Sequence, residues 1–243
     1  MKHLLFVCAL VGSLTGVPAA TVAADTGLNR RCYGTGNAPE TIEACSAVIA
    51  GGLVDRKDLG GAFKLRGGAY ADIGEYDKAI DDYGHAIAIN PDDADVFNER
   101  GASYGGKGQY ARSISDYDRA LVLKPESAMA LSNRCFAKAA VDQLEEALAD
   151  CNESVRLRPG NSNTLAARGF AYLKLGRPKE AIGDYDAEIK INPGNPYSLF
   201  GRGIAKHLTG DSAGANADMA AATKINSSIA ETMAKLGIRF DSR

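Results

Sequence analysis

The sequence predicts an all-α solenoid assembled from helix-turn-helix units, and three periodic features carry that prediction. Arginines recur at Arg66, Arg100, Arg134, Arg168 and Arg202, each 34 residues after the last. Aspartates keep the same step at Asp82, Asp116, Asp150, Asp184 and Asp218. Prolines keep it at Pro91, Pro125, Pro159 and Pro193. A period of this length marks helix pairs that cannot bury their apolar faces alone and therefore stack into a continuous core. Such a stack presents surfaces and encloses no reaction chamber, which points to recognition as the class of function.

Residues 1–24 read as a cleavable signal peptide. Lys2 and His3 give a short basic start, Leu4 to Val17 an apolar stretch, and Val22-Ala23-Ala24 a small-residue cleavage signal before Asp25. A membrane-spanning helix needs about 20 consecutive apolar residues, and Gly12, Ser13, Thr15, Gly16 and Pro18 interrupt this one. Cys8 lies inside the apolar stretch and not after it, which disfavours a lipid anchor. The expected location of the mature chain is the periplasm of a Gram-negative bacterium, with secretion as second choice, and no membrane insertion is expected after cleavage.

An oxidising compartment accounts for the cysteines. Cys8 leaves with the leader, and Cys32, Cys45, Cys135 and Cys151 remain. An even number in an exported chain reads as two disulfides. Among the possible pairings the local ones stand out, Cys32–Cys45 and Cys135–Cys151. Each would close a loop of roughly 15 residues, worth about 3 kcal/mol in the chain-entropy model. Free buried thiols are the alternative. A metal site has little support, because no C-x-x-C occurs and only His85 and His207 follow the leader.

Residues 25–59 read as an N-terminal partial helical unit. Its stretch 38–49 copies the second helix of the later units, with Cys45 where they carry an aromatic residue, and Gly51 to Gly60 reads as a long connection. Five full units follow over 60–229: 60–93, 94–127, 128–161, 162–195 and 196–229. Within them recur R-G-x-[AS]-Y, then [AS]-I-x-D-Y, then the proline that ends the second helix because it cannot continue one. The small residue of the first helix is Gly67, Gly101, Gly169 and Gly203, followed by Tyr70, Tyr104 and Tyr172. The second helix supplies Ala79, Ser113, Ala147, Ala181 and Ala215, then Tyr83, Tyr117 and Tyr185. Residues 230–243 read as a C-terminal capping helix, since Ile229, Met233 and Leu236 recur at helical spacing.

This pattern resembles the tetratricopeptide repeat over about 170 residues. The resemblance implies a right-handed superhelix and a non-catalytic protein-protein interaction module. Two departures stand out. In the third unit Cys135 replaces the first-helix glycine and Cys151 the second-helix tyrosine, as though one covalent bond replaced one packing contact. In the fifth unit Met219 stands for tyrosine and Ser227 for proline, the decay expected of a terminal repeat.

Charge and composition narrow the partner. A formal net charge of −2 gives no electrostatic case for nucleic acid, and the absence of tryptophan argues against an aromatic stacking platform. Arginine and aspartate ladders in equal number and equal period are expected to pair with each other and not with a ligand. In the resembled family, ligand-facing residues lie on the first helices. Carried over, they are Lys64, Gly68 and Asp72, then Asn98, Ala102 and Gly106, then Ser132, Phe136 and Ala140. Ala166, Phe170 and Lys174 follow, then Phe200, Ile204 and Leu208. The apolar end, Phe136, Phe170, Leu173, Tyr197, Phe200 and Ile204, is the expected groove for a peptide or helix of a protein partner. Packing between adjacent repeats is the competing role for these rings. The carboxylate clamp of chaperone-binding relatives is absent, because Gly68 and Glu99 stand where asparagines are needed. No cofactor is expected. No G-x-S-x-G or H-E-x-x-H occurs, and Gly105-Gly106-Lys107-Gly108 lacks the context of a phosphate loop. The expected role is therefore a partner-binding module of the bacterial envelope. The alternatives are a self-assembling scaffold or an accessory subunit of an envelope enzyme or export complex.

Overall fold

The computed structural model describes residues 32–34, 36–51 and 55–238. The leader predicted over residues 1–24 lies outside the described residues. Twelve helices and no strand occur among them. α1 (Ala38–Gly51) precedes five helix pairs: α2 (Arg56–Asp72) with α3 (Tyr76–Ile89), α4 (Ala94–Gly106) with α5 (Tyr110–Leu123), and α6 (Ala128–Ala140) with α7 (Leu144–Leu157). α8 (Ser162–Lys174) with α9 (Pro178–Ile191) and α10 (Pro196–Leu208) with α11 (Ser212–Ile225) complete the pairs, and α12 (Ile229–Lys235) closes the stack.

The last residue of each unit starts the next. Asp93, Ser127, Asn161 and Asn195 accept hydrogen bonds from backbone N–H groups of the helix that follows. Each satisfies donors that a helix start leaves orphaned, worth about 1 kcal/mol. Asp55 does the same for α2, accepting from the Asp58 N–H at 2.8 Å. That cap starts α2 at Arg56, so the connection after α1 is shorter than the Gly51–Gly60 stretch suggests.

The turn inside each pair needs one residue in the left-handed region. Gly74, Gly108, Gly176 and Gly210 supply it with φ between 69° and 92°, and the third unit uses Asp142 at φ 64°. A non-glycine residue there costs roughly 1–2 kcal/mol, least for Asn and Asp. Asp142 offsets part of this by pairing with Lys174 of the next unit at 2.8 Å.

First helices touch one another along the stack, α6 with α8 most extensively, whereas no two second helices of neighbouring units do. The first helices therefore occupy the inner, shorter radius and line the concave face. In the first, second and fourth pairs the second-helix tyrosine packs on the first-helix glycine, and in the fifth Met219 packs on Gly203. A Cβ added at Gly101 would meet the Tyr117 ring at 2.7 Å, so any larger residue would push the helices apart. In the third unit Cys135 and Cys151 take the same two positions and form a disulfide with Cα atoms 5.4 Å apart. Cys32 and Cys45 form the other, fastening the chain before α1 to that helix.

Candidate functional site

Each ladder arginine grips the aspartate 16 residues later in its own pair. Nε and Nη2 donate to the two carboxylate oxygens at 2.6–2.8 Å in all five units. Nη1 turns back to the preceding second helix: Arg66 to Ser46, Arg134 to Asp118, Arg168 to Asn152 and Arg202 to Asp186. In four of the five units the ladder thus joins three helices at a time, and in all five its arginine is committed to its own aspartate. Where tyrosine is missing after the first-helix motif, Lys138 and Lys206 stand instead and add a second ion pair to Asp150 and Asp218, at 2.8 and 2.9 Å.

The concave face has two different halves. Towards the C-terminus the side chains expected to form a groove meet one another. Phe170, Leu173, Phe200 and Ile204 are buried in one continuous core that runs from Cys135 to Ile238. Phe136 is half-buried, its ring 5.5 Å from that of Phe170. Tyr197 is 45% exposed and is the freest of the six. The physical reason is that large side chains on successive inner helices fill the space between those helices before they reach solvent. Sequence reasoning missed Tyr110, on α5, whose ring stands edge-on to Phe136 at 6.0 Å. Burial pushes its phenol pKa up, and Tyr197 of the fifth unit adds to the shift. Lys174 closes this end. Its ammonium lies 5.6 Å from the centre of the Phe170 ring and donates to the Ala139 carbonyl at 2.9 Å.

Towards the N-terminus the inner helices carry small residues and stay apart. Gly68, Ala102 and Gly106 line this stretch, with Ala102 and Gly106 exposed. Around them stand Lys64, Asp72, Asn98, Glu99 and Asn133. Lys64 is held by Asp93 at 3.0 Å. The Asn133 amide donates to Asn98 Oδ1 at 3.1 Å, and Asn98 in turn hydrogen-bonds Glu99. Glu99 is half-buried. Burial raises its pKa above the ordinary carboxyl value, with Asp95 and Asp72 adding and Asn98 and Lys64 opposing. Beneath Gly68 lies the hydroxyl of Tyr83, which is buried and has no hydrogen-bond partner.

A family model described as TPR repeat matches residues 67–108, which span most of the first unit and the start of the second. The chain has the fold of a tetratricopeptide-repeat solenoid. Solved structures agree on the fold. A tetratricopeptide repeat protein from Parabacteroides merdae is 15% identical, with 89% of this chain and 88% of that one aligned at a TM-score of 0.69. MamA from Desulfovibrio magneticus aligns over 72% of this chain and 98% of its own at 16% identity and a TM-score of 0.58. YrrB, a TPR protein with an unusual peptide-binding site, aligns over 81% of this chain and 97% of its own at 17% identity and a TM-score of 0.54. No curated protein sequence matches the chain. Among the described residues of this tetratricopeptide-repeat solenoid, no helix is long and apolar enough to cross a membrane, and no three His, Cys, Asp or Glu side chains converge as metal ligands.

Proposed function

We propose that this chain is a non-catalytic protein-interaction module that holds an extended segment of a partner protein along its concave face. The observation that supports this most directly is the inner face of α4, where Ala102 and Gly106 are exposed. The small side chain of Ala102 leaves room there for a backbone, while the half-buried Glu99 and Asn133 offer polar partners. The likeness in fold to YrrB, itself a peptide-binding TPR protein, favours the same use of the fold. The more apolar end contributes through Tyr197 and Phe136, with Phe170, Leu173, Phe200 and Ile204 as the packed wall behind them. The two disulfides favour an exported protein, and with the leader-like start we place it in the periplasm as part of an envelope complex.

Site-specific photo-crosslinking tests this reading. A photoreactive residue at Ala102, exposed on inner helix α4, is expected to capture a discrete partner from envelope extract. The same residue at Glu146, exposed on the outer helix α7, is expected to capture none. Equal capture at both positions, or none at Ala102, would remove the concave face as the binding surface.

A further inference from the structure

We propose that the N-terminal half of the groove selects a cationic side chain of the bound segment, an arginine ahead of a lysine, and seats it against Glu99; this rests on the reading of the concave face given above. Carboxylates outnumber cations here: Asp72, Asp93, Asp95 and Glu99 stand near a single lysine, Lys64, which Asp93 already engages at 3.0 and 3.3 Å. Glu99 is half-buried and surrounded by like charge, so its carboxylate gains from a cation brought close. One side of it is already engaged, because Asn133 donates to Asn98 and Asn98 to Glu99.

A second, independent feature points the same way. Tyr83 is 1% exposed and its hydroxyl finds no partner among the described residues. A buried polar group left in this state is destabilising, so a ligand that supplies the missing bond recovers that loss. The hydroxyl lies under Gly68, 3.7 Å from where a Cβ would be, so no side chain at that position stands between it and the groove. Glu99 and then Asp72 are the charges it feels most. The equivalent hydroxyl in the fourth unit, on Tyr185, lies against Gly201, at the repeat position that Glu99 holds for Tyr83. A carboxylate and a phenol oxygen together ask for a ligand rich in N–H donors. A guanidinium offers five in a plane, enough donors for both, whereas an ammonium is a point charge that serves one well. No three carboxylates converge on a point among the described residues, which favours an organic cation over a metal ion.

The test is fluorescence anisotropy with the disulfide-intact protein and labelled decapeptides of alternating serine and a variable residue: arginine, lysine, glutamine or glutamate. The arginine peptide is expected to bind at least tenfold more tightly than the glutamine peptide, with lysine between them, and to weaken as salt is raised. Glu99→Gln should weaken the arginine peptide at least tenfold and leave the glutamine peptide unchanged. Tyr83→Phe should weaken it about threefold, and Glu146→Gln on the outer face should change nothing. Unchanged circular dichroism checks that the variants fold. Equal binding of arginine and glutamine peptides, or a Glu99→Gln variant indistinguishable from Glu146→Gln, overturns the cation preference while leaving groove binding standing. Absence of binding by all four peptides overturns the proposal too, and failed capture at Ala102 would then remove the groove reading with it.

Discussion

Arg134 holds Asp150 with two parallel hydrogen bonds, Nε to one carboxylate oxygen at 2.8 Å and Nη2 to the other at 2.6 Å. The aspartate is 6% exposed, so this is a largely desolvated pair and not surface ornament. Repeated in every unit, the geometry makes each arginine the common partner of its own second helix and, in most units, of the one before. Replacing one charge strands the other in a dry site, and for that reason such pairs set register as well as stability.

The last rung of the ladder, Asp218, carries a pH dependence. Burial pulls the Asp218 carboxyl up, but hydrogen bonds from Arg202 and Lys206 outweigh it and hold the pKa below the ordinary value. A carboxyl depressed in the folded state contributes stability above its unfolded pKa, about 3.9, and loses that contribution as pH falls through the folded value. Urea unfolding is therefore expected to give a stability unaffected by this group from pH 6 to about 4, with its loss below. Asp218→Asn should flatten that acid limb. An acid limb of the same depth in the variant would show that Asp218 does not drive it.

The third unit allows the disulfide to be exchanged for the contact it replaces. Cys135→Ala with Cys151→Ala should lower stability by about 2–5 kcal/mol, the usual cost of losing a native disulfide. Cys135→Gly with Cys151→Tyr restores the pairing found at Gly101 and Tyr117, and should recover about 2 kcal/mol of that through ring burial. Thermal unfolding of the two double variants under non-reducing conditions decides it. If the glycine-tyrosine variant is no more stable than the alanine one, the two devices do not occupy equivalent slots.

Phe170 and Tyr197 were expected side by side in one groove, and their burial separates them. Phe170 is 4% exposed and Tyr197 45%. Phe170→Ala should cost about 3–5 kcal/mol, as for other buried aromatic truncations, and lower the melting temperature by several degrees. Tyr197→Ala should change stability by less than about 1 kcal/mol and act on partner capture alone. A stable Phe170→Ala protein with weakened capture would instead give that ring a direct place in the interface.

The period of 34 determined the architecture by itself, because a helix pair that repeats its contacts at equal spacing has one way to stack. It also determined the internal use of the arginines, since a charge matched in number and step by its opposite finds that opposite at a constant distance. The cysteine pairs were legible for a related reason: Cys135 and Cys151 sit at two positions that touch in every other unit. What the period could not carry was the direction in which each departure from it points. A phenylalanine on an inner helix reads the same whether it faces solvent or the next helix, and only the closeness of α6 and α8 turned Phe170 into core. Asp142 paired with Lys174 of the next unit, and Tyr110 edge-on to Phe136, likewise depend on where the superhelix brings neighbouring units together. So does the hydroxyl of Tyr83, whose lack of a partner depends on all the atoms around it and on no residue of the sequence alone.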